Sequence, residues 1–190
     1  MKKILDSVVR LVRAFIIVYR LGPKNIIDLS EKALSDPFTG VYNRWPLEDL
    51  CKREINRAER DHSPFSIVVI DIDGLWEIND THGHSKGDKV LQELAAVLKS
   101  ICRKGDYIFR LGGDEFLLLL PNIGEETALK VVDRIKMSCR KEGSLLEVSC
   151  GIASWQDGSL NHDSIINDLI EEADASMYKE KKAKGILRKK

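Results

Sequence analysis

The run Phe65-Ser-Ile-Val-Val-Ile70 constrains this chain more than any other feature. Six residues with almost no polar face, rich in β-branched side chains, fit a strand covered on both sides. Such a strand needs covering elements, and the chain supplies them in alternation. Trp45-Pro46 opens a helix reaching to about Arg60, with Pro at the first turn, where its missing N–H costs nothing. Val90, Leu94, Val97, Leu98 and Ile101 recur at helical spacing, as do Ala128, Val131, Val132 and Ile135. Ile166, Leu169, Ile170, Ala173 and Met177 mark a last helix. Tyr107 to Leu111 and Glu115 to Leu120 read as short strands joined in a hairpin at Gly112-Gly113, and Leu145 to Ala153 reads as another strand. The order α-β-α-β-β-α-β-α predicts an α+β fold, a central and mostly antiparallel sheet flanked by helices.

At 190 residues and 43% hydrophobic, the chain is long enough for one core and a short appendage. Its formal net charge of zero leaves no whole-molecule field to hold a polyanion, so nucleic acid is not an expected partner. Cys51, Cys102, Cys139 and Cys150 are scattered, without metal-like spacing, and suit reduced thiols in a cytoplasmic protein. Ahead of the domain, Ile4, Val8, Val12, Phe15 and Tyr19 share one helical face while Asp6, Arg10, Arg13 and Arg20 share another. The expected organisation is an amphipathic helix over 1–22, a connecting helix or linker over 23–35, and a globular domain over 36–190. The apolar stripe should bury itself against a partner helix, which would favour a homodimer; a membrane surface is the less favoured occupant.

The chemistry falls at two places. The covered strand ends in Asp71-Ile72-Asp73, and Asp114-Glu115 follows the glycine pair of the hairpin. If hairpin and strand pair, several carboxylates meet at one sheet edge, where each raises the pKa of the others unless a cation neutralises them. Oxygen ligands without His or Cys favour Mg²⁺. The plain alternative is that Asp71 and Asp73 only cap a strand-to-helix turn. Two adjacent glycines argue for close approach of backbone to a ligand.

Arg110-Leu-Gly-Gly-Asp-Glu-Phe116 resembles the signature of the GGDEF diguanylate cyclases. So do Asp36-Pro-Phe-Thr-Gly-Val-Tyr-Asn-Arg44, Asp71-Ile-Asp73, Ile78-Asn-Asp80, Gly83-His84, Gly87-Asp88, Ala173-Asp174 and Met177-Tyr178. The resemblance covers about Asp36 to Lys181. It implies a nucleotide-cyclase, palm-like fold that condenses two GTP into cyclic di-GMP on paired domains. Asp71 and Asp114, with the Ile72 carbonyl, would hold Mg²⁺ or Mn²⁺, supported by Glu115. Asn79 and Asp88 would bind the guanine edge, and a carboxylate at 88 selects guanine because adenine lacks the N1–H and N2–H₂ donor pair. Gly74, Leu75, Gly112, Gly113 and Lys181 would complete the substrate site.

Two departures and one addition accompany that resemblance. The lysine that the family places after Asp-x-Asp is Trp76 here, and the arginine expected beyond Lys181 is absent, leaving Lys182, Lys184 or Arg188 to stand in. A weakened domain that binds GTP or cyclic di-GMP and signals by contact is therefore the alternative function. Arg103-Lys-Gly-Asp106 has the form and offset of the family's product-inhibition site, with Arg134 as a second contributor; read by itself, it is a surface ion pair. His82-Gly83-His84 is expected to be a structural loop, and Lys179 to Lys190 a solvated helix end.

Overall fold

The computed structural model describes residues 32–140, 144–156 and 165–186. The helix expected over 1–22, most of the connecting segment and Arg188 lie outside the described residues. The chain divides into two compact units, Met1–Ser35 and Asp36–Lys190. Of the first, only 32–35 are described, with a helical turn at 32–34.

In the second unit the elements run α1 (Leu47–Asp61), β1 (Phe65–Ile72), α2 (Leu75–His82), α3 (His84–Ile101), β2 (Tyr107–Gly112), β3 (Glu115–Pro121), α4 (Glu125–Cys139), β4 (Val148–Trp155) and α5 (Ile165–Lys184). The strands form one sheet in the order β2-β3-β1-β4, and each neighbouring pair is antiparallel. Every residue of β1 is buried, as its apolar composition requires. Alternation then splits the core in two. Val68, Ile70 and Ile72 join Phe116, Leu118 and Leu120 under α2, α3 and α4. Phe65, Ile67 and Val69 join Leu117 and Leu119 under α1 and α5.

Two expectations change. Residues 75–81, to which the pattern assigned no element, form most of α2, an eight-residue helix, and His82-Gly83-His84, expected as a loop, is the junction between α2 and α3. The short apolar content of α2, with only Leu75 and Ile78 buried, hides it from a periodicity reading. The last strand begins at Val148 rather than Leu145.

Helix α5 lies directly on β4. A Cβ at Gly151 would come within 1.9 Å of the Ala173 carbonyl oxygen and 2.4 Å of Met177 N, so helix backbone occupies the space a side chain would need. The four thiols form no disulfide, and burial pushes those of Cys51, Cys102 and Cys150 up to about 12, which keeps them neutral. Among the described residues no helix is long and apolar enough to cross a membrane.

Because backbone rather than a movable side chain opposes it, Gly151→Ala should destabilise the domain by at least about 3 kcal/mol. Urea unfolding followed by circular dichroism checks this; a midpoint unchanged from the parent would show that α5 can shift away.

Candidate active site

Pairing of β1 with β3 sets Asp71 opposite Glu115, and pairing with β4 sets it opposite Ser149. The β2–β3 hairpin turns at Gly112-Gly113, where Gly113 has a φ of 51°. Arg110 fixes that turn: its Nη2 and Nε donate to the Gly113 carbonyl at 2.8 and 3.2 Å, and its Nη1 donates to Asp36 Oδ1 at 3.2 Å. The residue after the clamped carbonyl is Asp114. Arg110 thereby orients the acidic tip, a role that a reading focused on the carboxylates overlooks.

Asp71 is 7% exposed, and its pKa rises from 3.8 to about 6. Burial is the largest cause; Asp114 and Glu115 add to it, while Lys181 opposes it. The mutual repulsion expected of these carboxylates is present, but it ranks behind desolvation. Lys181 Nζ lies 2.6 Å from the buried Asp71 Oδ1, a close ion pair.

Asp73 has a different task. Its buried carboxylate accepts from Ser149 Oγ at 2.6 Å and Lys184 Nζ at 2.8 Å, and its N–H donates to the Glu147 carbonyl. Asp73 neither caps the helix that follows nor lines the cleft beside Asp71; it ties the end of β1 to β4 and α5. Lys184 also donates to the Val148 carbonyl at 2.7 Å and pairs with Glu180 at 2.8 Å. The lysine-rich end expected as solvated thus turns Lys181 and Lys184 inward. Lys184 is engaged by these partners, and Lys182 is exposed.

A cleft of about 760 Å³ opens between these groups, lined by Asp71, Ile72, Gly74, Leu75, Asp114, Glu115 and Lys181. Trp76, Glu77, Tyr178 and Ile186 complete the wall. Helix α2 points its start at the cleft, and no side chain caps it, so its first N–H groups face the cleft without an intrahelical acceptor. Carboxylates, a lysine and an open helix start in one cleft suit a phosphate-bearing ligand with a hard cation. The diguanylate cyclase, GGDEF domain family matches residues 33–185.

The chain belongs to the GGDEF family. Diguanylate cyclase DgcP of Pseudomonas aeruginosa is 34% identical to it over 163 residues, 82% of this chain and 24% of that relative. Diguanylate cyclase DosC of Escherichia coli is 35% identical over 151 residues, 75% of this chain and 32% of the relative. The chain therefore spans about a quarter to a third of the length of these relatives. The coiled coil and GGDEF domain of DgcB from Caulobacter crescentus, crystallised with c-di-GMP, superposes with a TM-score of 0.76 at 25% identity. That match covers 92% of this chain and 94% of the other.

The remaining GGDEF positions fall outside the cleft lining. A Cβ on Gly87 would overlap Asn79 Oδ1 at 2.0 Å, so the bare glycine lets Asn79 of α2 lie against α3, one residue from Asp88. This juxtaposition comes from α2 packing on α3. Arg103 and Asp106 sit at the other end of the hairpin, about 20 Å from the glycine pair by strand length. Arg103 Nε donates to Asp106 Oδ1 at 3.0 Å, and its Nη2 donates to the Pro121 carbonyl. Arg134 faces the same corner, since its charge and that of Asp106 both act on the neighbouring Cys102 thiol.

The donor set fits a hard divalent cation. Asp71 Oδ1 is a buried carboxylate oxygen paired with the Lys181 ammonium, beside two further carboxylates. Among the described residues no three His, Cys, Asp or Glu side chains are grouped so as to hold a metal ion by themselves; a hard divalent ion takes one or two carboxylates and completes its shell with phosphate and water.

A native Asp71 that keeps its proton to about pH 6, against 3.8 unfolded, makes stability fall as pH rises through that window, with the full penalty above it. Asp71→Asn should therefore stabilise the metal-free protein by up to roughly 3 kcal/mol at pH 7.5, with the gain gone near pH 4. Urea unfolding at both pH values checks this; equal midpoints at pH 7.5 would contradict it.

Proposed function

We propose that this GGDEF domain condenses two GTP molecules into cyclic di-GMP, each GTP held by one of two domains that face one another in a homodimer. The observation that carries the reading is the register that gathers Asp71, Asp114 and Glu115 beside Lys181 and the open start of α2. Relatives named as diguanylate cyclases and a similar domain crystallised with c-di-GMP support it.

Asp71 and Asp114, with the Ile72 carbonyl, would hold Mg²⁺ or Mn²⁺, and Glu115 would support them. Bound there, the cation supplies positive charge at the α-phosphate and lowers the pKa of the attacking 3′-hydroxyl. The chain's own residues bind and orient. N–H groups of Gly74 and Leu75 receive phosphate oxygens, and Lys181 pairs with the triphosphate. Gly112 and Gly113 let the backbone approach the nucleotide closely. Asn79 and Asp88 take the guanine edge, which favours GTP over ATP because an adenine would leave the Asp88 carboxylate unpaired. Each new bond from a 3′-oxygen to an α-phosphorus forms as pyrophosphate leaves, and the step occurs twice.

Arg103, Asp106 and Arg134 would bind the product and lower the rate. The arginine fork matches guanine O6 and N7, and the carboxylate matches the N–H edge. Binding there requires Arg103 to leave its ion pair with Asp106. A second reading rests on the cleft itself, where Lys181 is the one basic residue among the described lining and Trp76 is exposed. On that reading the domain binds GTP or cyclic di-GMP, turns over little and signals by contact.

Incubation with GTP and Mg²⁺ followed by chromatography separates the two. The expected product is cyclic di-GMP, and Asp114→Ala should lower its formation by more than about 100-fold with the fold retained. Near-parent synthesis by that variant would remove Asp114 from the site, and nucleotide binding without product would establish the second reading. Arg103→Ala should weaken cyclic di-GMP binding by about 10-fold or more while GTP affinity stays constant. Calorimetry with each ligand tests this, and equal product affinity would return Arg103 and Asp106 to a surface ion pair.

A further inference from the structure

Lys181 stands where a cation would be wanted. Its Nζ is 2.6 Å from the buried Asp71 Oδ1, and the carboxylates of Asp114 and Glu115 press on the same group. No other basic side chain lines the cleft among the described residues. The helix that carries Lys181 is held by other contacts. One turn on, Lys184 binds Asp73, Glu180, Ser149 and the Val148 carbonyl. Glu180 in turn accepts from Lys136 Nζ at 2.7 Å and Cys150 N at 3.3 Å. The helix then closes at Gly185, with Ile186 N donating back to the Lys181 carbonyl. The backbone at 181 is therefore anchored from both sides, while the Lys181 ammonium is tied to Asp71 by one ion pair. Its side chain is free to change partner without the helix moving.

We propose that Lys181 is a placeholder counter-ion that keeps a free divalent cation off Asp71, so that the cation binds only together with a nucleoside triphosphate. The proposal rests on the reading of the cleft as a GTP and metal site. A divalent ion at Asp71 Oδ1 cannot share that oxygen with an ammonium 2.6 Å away, because the two positive charges repel at close range. Without nucleotide, Lys181 would have to give up its ion pair with Asp71 and receive no phosphate in exchange. A triphosphate changes that balance, because its oxygens give the ammonium a new partner within the same cleft and add ligands to the ion. Metal and nucleotide are then positively coupled through one side chain, and the coupling is reciprocal. Lys184 is the positioning residue, since it holds the helix end while Lys181 exchanges partners.

The test measures Mn²⁺ binding by electron paramagnetic resonance of the unbound ion, using the full chain. It is run alone and with a GTP analogue bearing a methylene bridge between the α- and β-phosphorus, which binds without losing pyrophosphate. Lys181→Gln should bind Mn²⁺ alone about 10-fold more tightly than the parent, and the enhancement by nucleotide should shrink by about the same factor. Lys181→Met, which also lacks the charge, should repeat this. Lys181→Arg should behave as the parent, and adding Asp71→Asn to Lys181→Gln should abolish the gain. The proposal is overturned if the parent takes Mn²⁺ with the analogue yet Lys181→Gln binds Mn²⁺ alone no better than the parent. A parent that takes no Mn²⁺ even with the analogue would overturn the GTP and metal reading itself, and this inference with it.

Discussion

The antiparallel register between β1 and β3 is the constraint on which the rest of the molecule depends. It places Asp71 opposite Glu115 and so brings the end of a buried strand to the tip of an exposed hairpin. A slip of one residue would turn the apolar set of β1 to the wrong faces, and both halves of the core would lose their partners at once. The register is therefore specified by burial, and the acidic edge inherits that precision. Residues that create chemistry at the edge contribute little to holding it; the buried run behind them does that work.

Gathering carboxylates at such an edge is destabilising, and the fold answers with cations from a distant part of the chain. Helix α5 lies so close to β4 that only glycine fits at 151, and this approach carries Lys181 and Lys184 to Asp71 and Asp73. The two aspartates differ in consequence. Asp73 is satisfied by a serine hydroxyl as well as a lysine, whereas Asp71 pairs with Lys181 and has its pKa raised to about 6 by burial. One is a fastening between sheet and helix and the other lines the cleft, although they stand two residues apart.

The same hairpin carries different charged groups at its two ends. Its glycine end carries the acidic tip, and its other end carries Arg103 and Asp106 with Arg134 nearby. A paired hairpin is stiff along its strands, so the two ends belong to one mechanical element. Arg110 adds a brace near the tip, tying the Gly113 carbonyl to the turn that begins at Asp36.

The sequence by itself determined the α+β order, the covered strand, the hairpin and most of the cleft lining. These follow from local periodicity and from short motifs whose residues act within a few positions of one another. Asp71, Asp114 and Glu115 were legible from the residues themselves, whereas Ile72, Gly74, Leu75 and Lys181 came from the family resemblance. Helix α2 was not legible, because eight residues with two buried side chains carry too little pattern. Neither the Asn79 contact across Gly87 nor the Arg110 brace could be read, since each spans two elements. Tertiary structure alone decided that Asp73 is structural, that Lys184 is committed to it, and that Lys181 faces Asp71. Contacts between residues more than a hundred positions apart depend on how closely α5 packs against the sheet, and no local pattern encodes that distance.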